Sequence, residues 1–65
     1  MKKEDEIIGE AIIFLLKNRP REKFSRKMLV EYLTGVYVYI YETSPDIEQI
    51  EAYLAALETV MLKRP

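Results

Sequence analysis

Two pairs of carboxylates sit at helical spacing in this chain, Glu6 with Glu10 and Glu48 with Glu51. Such pairs can act as general acid and base when their surroundings push their proton affinities apart. A solvated helix face accounts for these four more simply. The chain has no His and no Cys, so the commonest bases, thiol nucleophiles and zinc ligands are missing. Gly9 and Gly35 stand alone, with no glycine pattern that could cradle a phosphate. Ser25 and Ser44 each precede a helical segment and read as caps, not nucleophiles. The residue types therefore point away from an enzyme, and no cofactor or metal is expected.

The remaining concentration of chemistry is basic. Residues 17–27 hold Lys17, Arg19, Arg21, Lys23, Arg26 and Lys27 against Glu22, a net charge of +5. The whole chain carries −1, so the remainder carries −6. Arg26 and Lys27 fall on the first turn of a helix, where the macrodipole disfavours cations. A solvated loop balancing acidic helices accounts for the cluster. The functional alternative is a contact for phosphate, nucleic acid or an acidic partner.

The elements that position these groups follow from periodicity. The pivotal stretch is Ser25–Glu42, SRKMLVEYLTGVYVYIYE. By propensity GVYVYIY is a strand, because Val, Ile and Tyr favour strands and alternate here. At about 100° per residue the longer window is instead a helix, with Leu29, Tyr32, Leu33, Val36, Tyr39 and Ile40 on one face. No second strand candidate exists to pair with it, and an isolated strand is not stable. Ser25 suits an N-cap, with Phe24 before it to staple onto Leu29. Helix is the better reading. Gly35, in its middle, costs about 1 kcal/mol relative to Ala and marks a kink or a close helix contact.

A first helix is expected over 4–17. Glu4, Asp5 and Glu6 open it, Ile7, Ile8, Ala11, Ile12, Phe14, Leu15 and Leu16 cover more than half of it, and Pro20 follows its end. Ile13 falls near its wet side. The second helix spans 25–42. The third spans 46–62, restarted by Ser44 as cap, Pro45 at the first position and Asp46 in the first turn. There Ile47, Ile50, Leu54, Leu57 and Met61 recur at spacings of three and four, a coiled-coil-like seam that Tyr53 and Val60 widen. Lys63 and Arg64 suit the end of that helix. The expected fold is all-α in one domain, 1–65, with helices two and three as an antiparallel hairpin.

Sixty-five residues form a small core, and neither disulfides nor zinc can reinforce it. The apolar faces of the first two helices are wider than a three-helix bundle covers, so a homodimer is expected. Val30, Tyr37 and Tyr41 form an aromatic flank that a monomer need not bury. With Ile47, Ile50, Leu54, Leu57 and Met61 it makes the candidate oligomer or partner interface. The run IIGEAIIFLL is too short to span a bilayer and contains Glu10, so a soluble, cytoplasmic protein with no membrane partner is expected. Asn18 and Gln49 are the only amide side chains. With the high charge content, that scarcity hints at a thermophilic source.

Two segments, IIGEAIIFLLKNRPREKFSRKMLVEYLTG and SPDIEQIEAYLAALETVMLKRP, resemble helix-turn-helix or winged-helix DNA-binding domains. The first is similar to an opening helix, a basic turn and a second helix; the second resembles a capped recognition helix. The resemblance implies transcriptional regulation, with Ser25, Arg26 and Lys27 on phosphates. The residues themselves point first to a non-catalytic adaptor or regulator that binds another macromolecule, a protein as yet unknown, and associates with itself.

Overall fold

Three helices and, among the described residues, no strand make up the computed structural model, which covers residues 2–62. They are α1 (Glu4–Asn18), α2 (Arg26–Thr43) and α3 (Ile47–Met61). Lys63 and Arg64, expected to suit the end of the third helix, lie outside the described residues.

Each helix starts where its backbone donors find an acceptor. At α1 the Glu6 carboxylate accepts from the Lys3 backbone N–H at 3.0 Å, and Glu4, Asp5 and Glu6 crowd the first turn. At α2 the Ser25 hydroxyl accepts from the Met28 N–H at 3.1 Å, as its position implied. Phe24, just outside, is half-buried against the core cluster that includes Leu29. At α3 the cap is Asp46, not Ser44: Asp46 Oδ1 accepts from the N–H groups of Glu48 and Gln49 at 3.0 and 3.4 Å. Ser44 instead ends α2, donating its N–H to the Ile40 carbonyl. Its hydroxyl accepts from the Asp46 N–H. A carboxylate outcompetes a hydroxyl for the positive end of a helix, and α3 therefore begins at Ile47.

Residues 36–41 are helical throughout. Leu29 and Leu33 are buried, and Val36 and Ile40, half-buried, continue their line, whereas Tyr39, expected on this face, is 65% exposed and turns to solvent with Val38 and Tyr41. Two threonines adapt to the helix by bonding backward, Thr34 to the Val30 carbonyl and Thr43 to the Tyr39 carbonyl.

The closest packing is between α2 and α3, antiparallel neighbours joined by a short turn. The fully buried set is small: Ile7, Ala11 and Leu15 from α1, Leu29 and Leu33 from α2, Ala56 and Leu57 from α3. α1 lies across the hairpin, with the Glu4 carboxylate accepting from the Thr59 hydroxyl near the end of α3. Phe14 stacks on Tyr32 of α2, ring centroids 5.0 Å apart. The contact of α1 with α3 is broader than that with α2.

The inward face of α3 is not the expected seam. Ala56, with no exposure, and Leu57 are its buried residues, and Ala52, Tyr53 and Val60 pack beside them. The seam residues Ile47 and Met61 are 68% and 55% exposed. Small Ala56 lets the crossing helix approach closely, and this rotates the apolar seam partly out of the core.

Gly35 does not mark a close helix contact. It lies inside one continuous helix, and a Cβ there would meet nothing within 4 Å. Gly35→Ala should therefore raise the unfolding free energy by about 0.5–1 kcal/mol through helix propensity. Asp46→Ala should lower it by about 1 kcal/mol through loss of the cap. Urea denaturation followed by circular dichroism reads both.

Candidate interaction surfaces

The basic segment is built on an ordered turn. The Arg19 N–H bonds the Leu15 carbonyl at 2.9 Å, and the Glu22 N–H bonds the Arg19 carbonyl at 3.2 Å. The Arg19 guanidinium closes the same turn on the Glu22 carboxylate at 3.2 Å. Phe24 tucks toward the core and fixes the far end. All six cations of this segment are exposed. Arg19 alone has an ion-pair partner among the described residues. Lys17, Arg21, Lys23, Arg26 and Lys27 thus project from one end of the fold, where α1 gives way to α2. No acidic residue lies in the first turn of α2, and Glu31, four residues after Lys27, is the nearest acidic residue along that helix.

The outer side of the hairpin, away from α1, carries the second surface. Helical geometry puts Val30, Tyr37 and Tyr41 on one flank of α2, opposite the Tyr32 side that meets Phe14. Tyr37 and Tyr41 lie 6.0 Å apart between ring centroids. Tyr41 is exposed, whereas Val30 and Tyr37, expected on a flank that a monomer need not bury, are half-buried against the chain's own core and offer only their outer edges. On α3, Ile47, Leu54 and Met61 fall on the corresponding side, with Glu51 and Glu58 beside them. Ile50 and Leu54 are half-buried. Leu57, expected at this interface, belongs to the chain's own core and is withdrawn from it. Its neighbour Ala56 takes the inward position that the regular three-four spacing hid.

A third surface was only half legible. Ile13 and Leu16 are 58% and 52% exposed on the solvent side of α1. The expected position of Ile13 near the wet side of that helix agrees with its exposure, whereas Leu16, expected on the apolar face, is exposed too.

Concavity is slight. One cleft of about 80 Å³ lies between α1 and the hairpin, lined by Lys2, Ile7, Glu10, Ala11, Tyr32, Leu33, Val36 and Tyr53. It is well below the ~300 Å³ of a usual small-molecule site. Lys2 covers its mouth, its ammonium 2.6 Å from the Glu10 carboxylate. That hydrogen bond, with the tyrosines beside it, holds the Lys2 ammonium above its ordinary range. The charged pair adds stability below the ordinary lysine range and loses it as pH rises through the raised value. With both side chains about half exposed, screening keeps the effect small. The carboxylate pairs considered for catalysis are engaged or open to water: Glu6 caps α1, Glu10 holds Lys2, and Glu48 and Glu51 are exposed. Among the described residues no group of three acidic, His or Cys side chains converges on a metal position, and no helix is long and apolar enough to cross a membrane.

No protein-family model, no curated protein and no solved structure matches this chain.

Exposed and buried members of the apolar set should separate cleanly in stability. Leu33→Ala, at a side chain 1% exposed, should cost about 2–5 kcal/mol. Tyr41→Ala and Ile47→Ala should each cost under about 1 kcal/mol. Chemical denaturation of the three variants measures the contrast.

Proposed function

We propose that this chain is a non-catalytic helical adaptor or regulator that works by binding a protein partner and by associating with itself. The observation that carries this reading is the outer hairpin face. A small monomer gains nothing from holding Tyr41, Ile47 and Met61 in water. Arranged with Val30, Tyr37 and Leu54 on two adjacent helices, they supply the aromatic and aliphatic anchors, with an acidic border, that protein interfaces favour. The shallow cleft, too small for a substrate, supports the same reading.

DNA binding is the second reading, favoured by the five basic side chains of 17–27 that lack an ion-pair partner among the described residues. The proposed recognition helix speaks against it. α3 exposes Glu48, Glu51 and Glu58 and has no Lys or Arg between Ile47 and Met61. Phosphates would repel that surface, and nothing on it could read a guanine.

Two measurements test the assignment. In a pull-down from lysate, the parent chain should retain a protein that Tyr41→Asp/Leu54→Asp, still helical by circular dichroism, releases. In fluorescence anisotropy, labelled duplex DNA should show no micromolar binding at near-physiological salt. Micromolar binding that falls steeply with salt, and is lost in Arg21→Ala/Lys23→Ala/Arg26→Ala/Lys27→Ala with the fold intact, would replace the protein-binding reading with the DNA one.

A further inference from the structure

The solvent side of α1 carries its own apolar stripe. Gly9, Ile12, Ile13 and Leu16 recur at spacings of three, one and three, which lines them up along one side of a helix. Ile13 and Leu16 are exposed. Gly9 is open: a Cβ built on it would meet nothing within 4 Å. Ile13 and Leu16 face away from the hairpin, since Ile7, Ala11 and Leu15 occupy the opposite side, while Ile12 lies at the edge of the stripe, half-buried against the core.

Charge is segregated at the two ends of the stripe. Glu4, Asp5 and Glu6 precede it, after Lys2 and Lys3, for a net −1, while Lys17, Arg19, Arg21 and Lys23 follow it with Glu22, for a net +3. That polarity also suits the helix dipole, so it identifies no partner by itself. The apolar stripe between the charges supplies the second constraint. Turn one copy end over end about the midpoint between Ile12 and Ile13, and Ile12 meets Ile13 of the other copy. In the same register Leu16 comes over Gly9, where a side chain is missing, and the acidic first turn of α1, with Asp5 unpaired among the described residues, comes opposite the basic segment that follows Asn18. The same turn brings apolar to apolar, large to small and acidic to basic. A parallel pairing would set the acidic ends together and the basic ends together.

We propose that two copies of this chain pair through α1, antiparallel, along Gly9, Ile12, Ile13 and Leu16. This names the surface and geometry of the self-association proposed above and rests on that part of the reading; partner binding through the hairpin face is independent of it. One helix face buries less than a standard interface, so the dimer should dissociate in the micromolar range, about 1–100 μM.

Sedimentation equilibrium across that range tests the proposal. The parent chain should be a dimer at the upper end. Ile13→Glu, at an exposed site, should leave the helical spectrum intact and give a monomer. Gly9→Ala separates a pairing surface from an ordinary helix position. The open space around Gly9 means Ala should raise the denaturation midpoint of the single chain, yet it should weaken the dimer about tenfold by lifting Leu16 of the other copy. Gly35→Ala should raise the midpoint and leave the dimer unchanged. Asp5→Lys and Arg21→Glu, which leave the Glu6 cap and the Arg19–Glu22 pair in place, should each weaken pairing, and both changes in one chain should restore it. A parallel pair would respond little to either reversal alone. A dimer that survives Ile13→Glu but is lost in Leu54→Glu would overturn this surface while keeping self-association. A parent chain monomeric throughout would overturn self-association altogether and leave the pull-down to judge partner binding.

Discussion

The smallness of the core governs this molecule. Among the described residues seven are buried, and two of them are alanines. A domain of this size has a net stability of roughly 3–10 kcal/mol. One large side chain such as Leu33 can therefore hold a sizeable part of the whole. Ala11 and Ala56 contribute little area themselves. Their value is geometric: they let α1 settle close against the hairpin, which buries Ile7, Leu15 and Leu57 around them. A closer crossing makes a dense core, but it also limits how much apolar surface three short helices can cover. Ile13, Leu16, Tyr41, Ile47 and Met61 remain outside for that reason, and the surfaces they form carry the functional reading.

The all-helical fold and the hairpin were legible because long-range periodicity and caps agreed. Over Val36–Tyr41 the local propensity pointed to a strand. A strand needs a partner, whereas the helix already had Leu29 and Leu33 in line with Val36 and Ile40. Tertiary burial then decides between them. The cap of α3 was legible only to within two residues, because Ser44 and Asp46 are both good caps and straddle a proline. Charge on Asp46 settled it. The two bonds it accepts replace one that Ser44 could have made, and they free Ser44 to close α2.

The orientation of α3 was less legible. Ile47, Ile50, Leu54, Leu57 and Met61 have the spacing of a coiled-coil seam, but spacing only establishes that these residues share a stripe. It does not say what the stripe faces. Ala is a weak signal in a hydrophobic pattern, so the face centred on Ala52 and Ala56 was hidden behind larger neighbours. The expected seam is split as a result. Leu57 serves the core, Ile50 and Leu54 lie at its margin, and Ile47 and Met61 face water. The same limitation applied in part to α1, where Ile13 was legible as lying near the wet side but the apolar arc, more than half the circumference, hid the exposure of Leu16.

The charges follow a different logic from the apolar residues. On α1 the acidic start and basic end agree with the helix dipole, so they stabilise the helix and leave polarity available for recognition. On α2 the order is reversed at its start: Arg26 and Lys27 occupy the first turn without an acidic residue there. Ser25 offsets part of that cost by capping the helix, but it cannot neutralise two cations. Solvent screening keeps the penalty to fractions of a kcal/mol per charge. A penalty that small is readily maintained by a fold whose core is elsewhere, and an approaching carboxylate or phosphate would reverse its sign. The basic end is therefore a place where binding and folding favour the same charge arrangement only once a partner is present. The apolar stripes differ, since burial would stabilise them with or without any charge. Salt should accordingly discriminate between the two kinds of surface, because it weakens contacts made by the basic end while leaving apolar contacts intact.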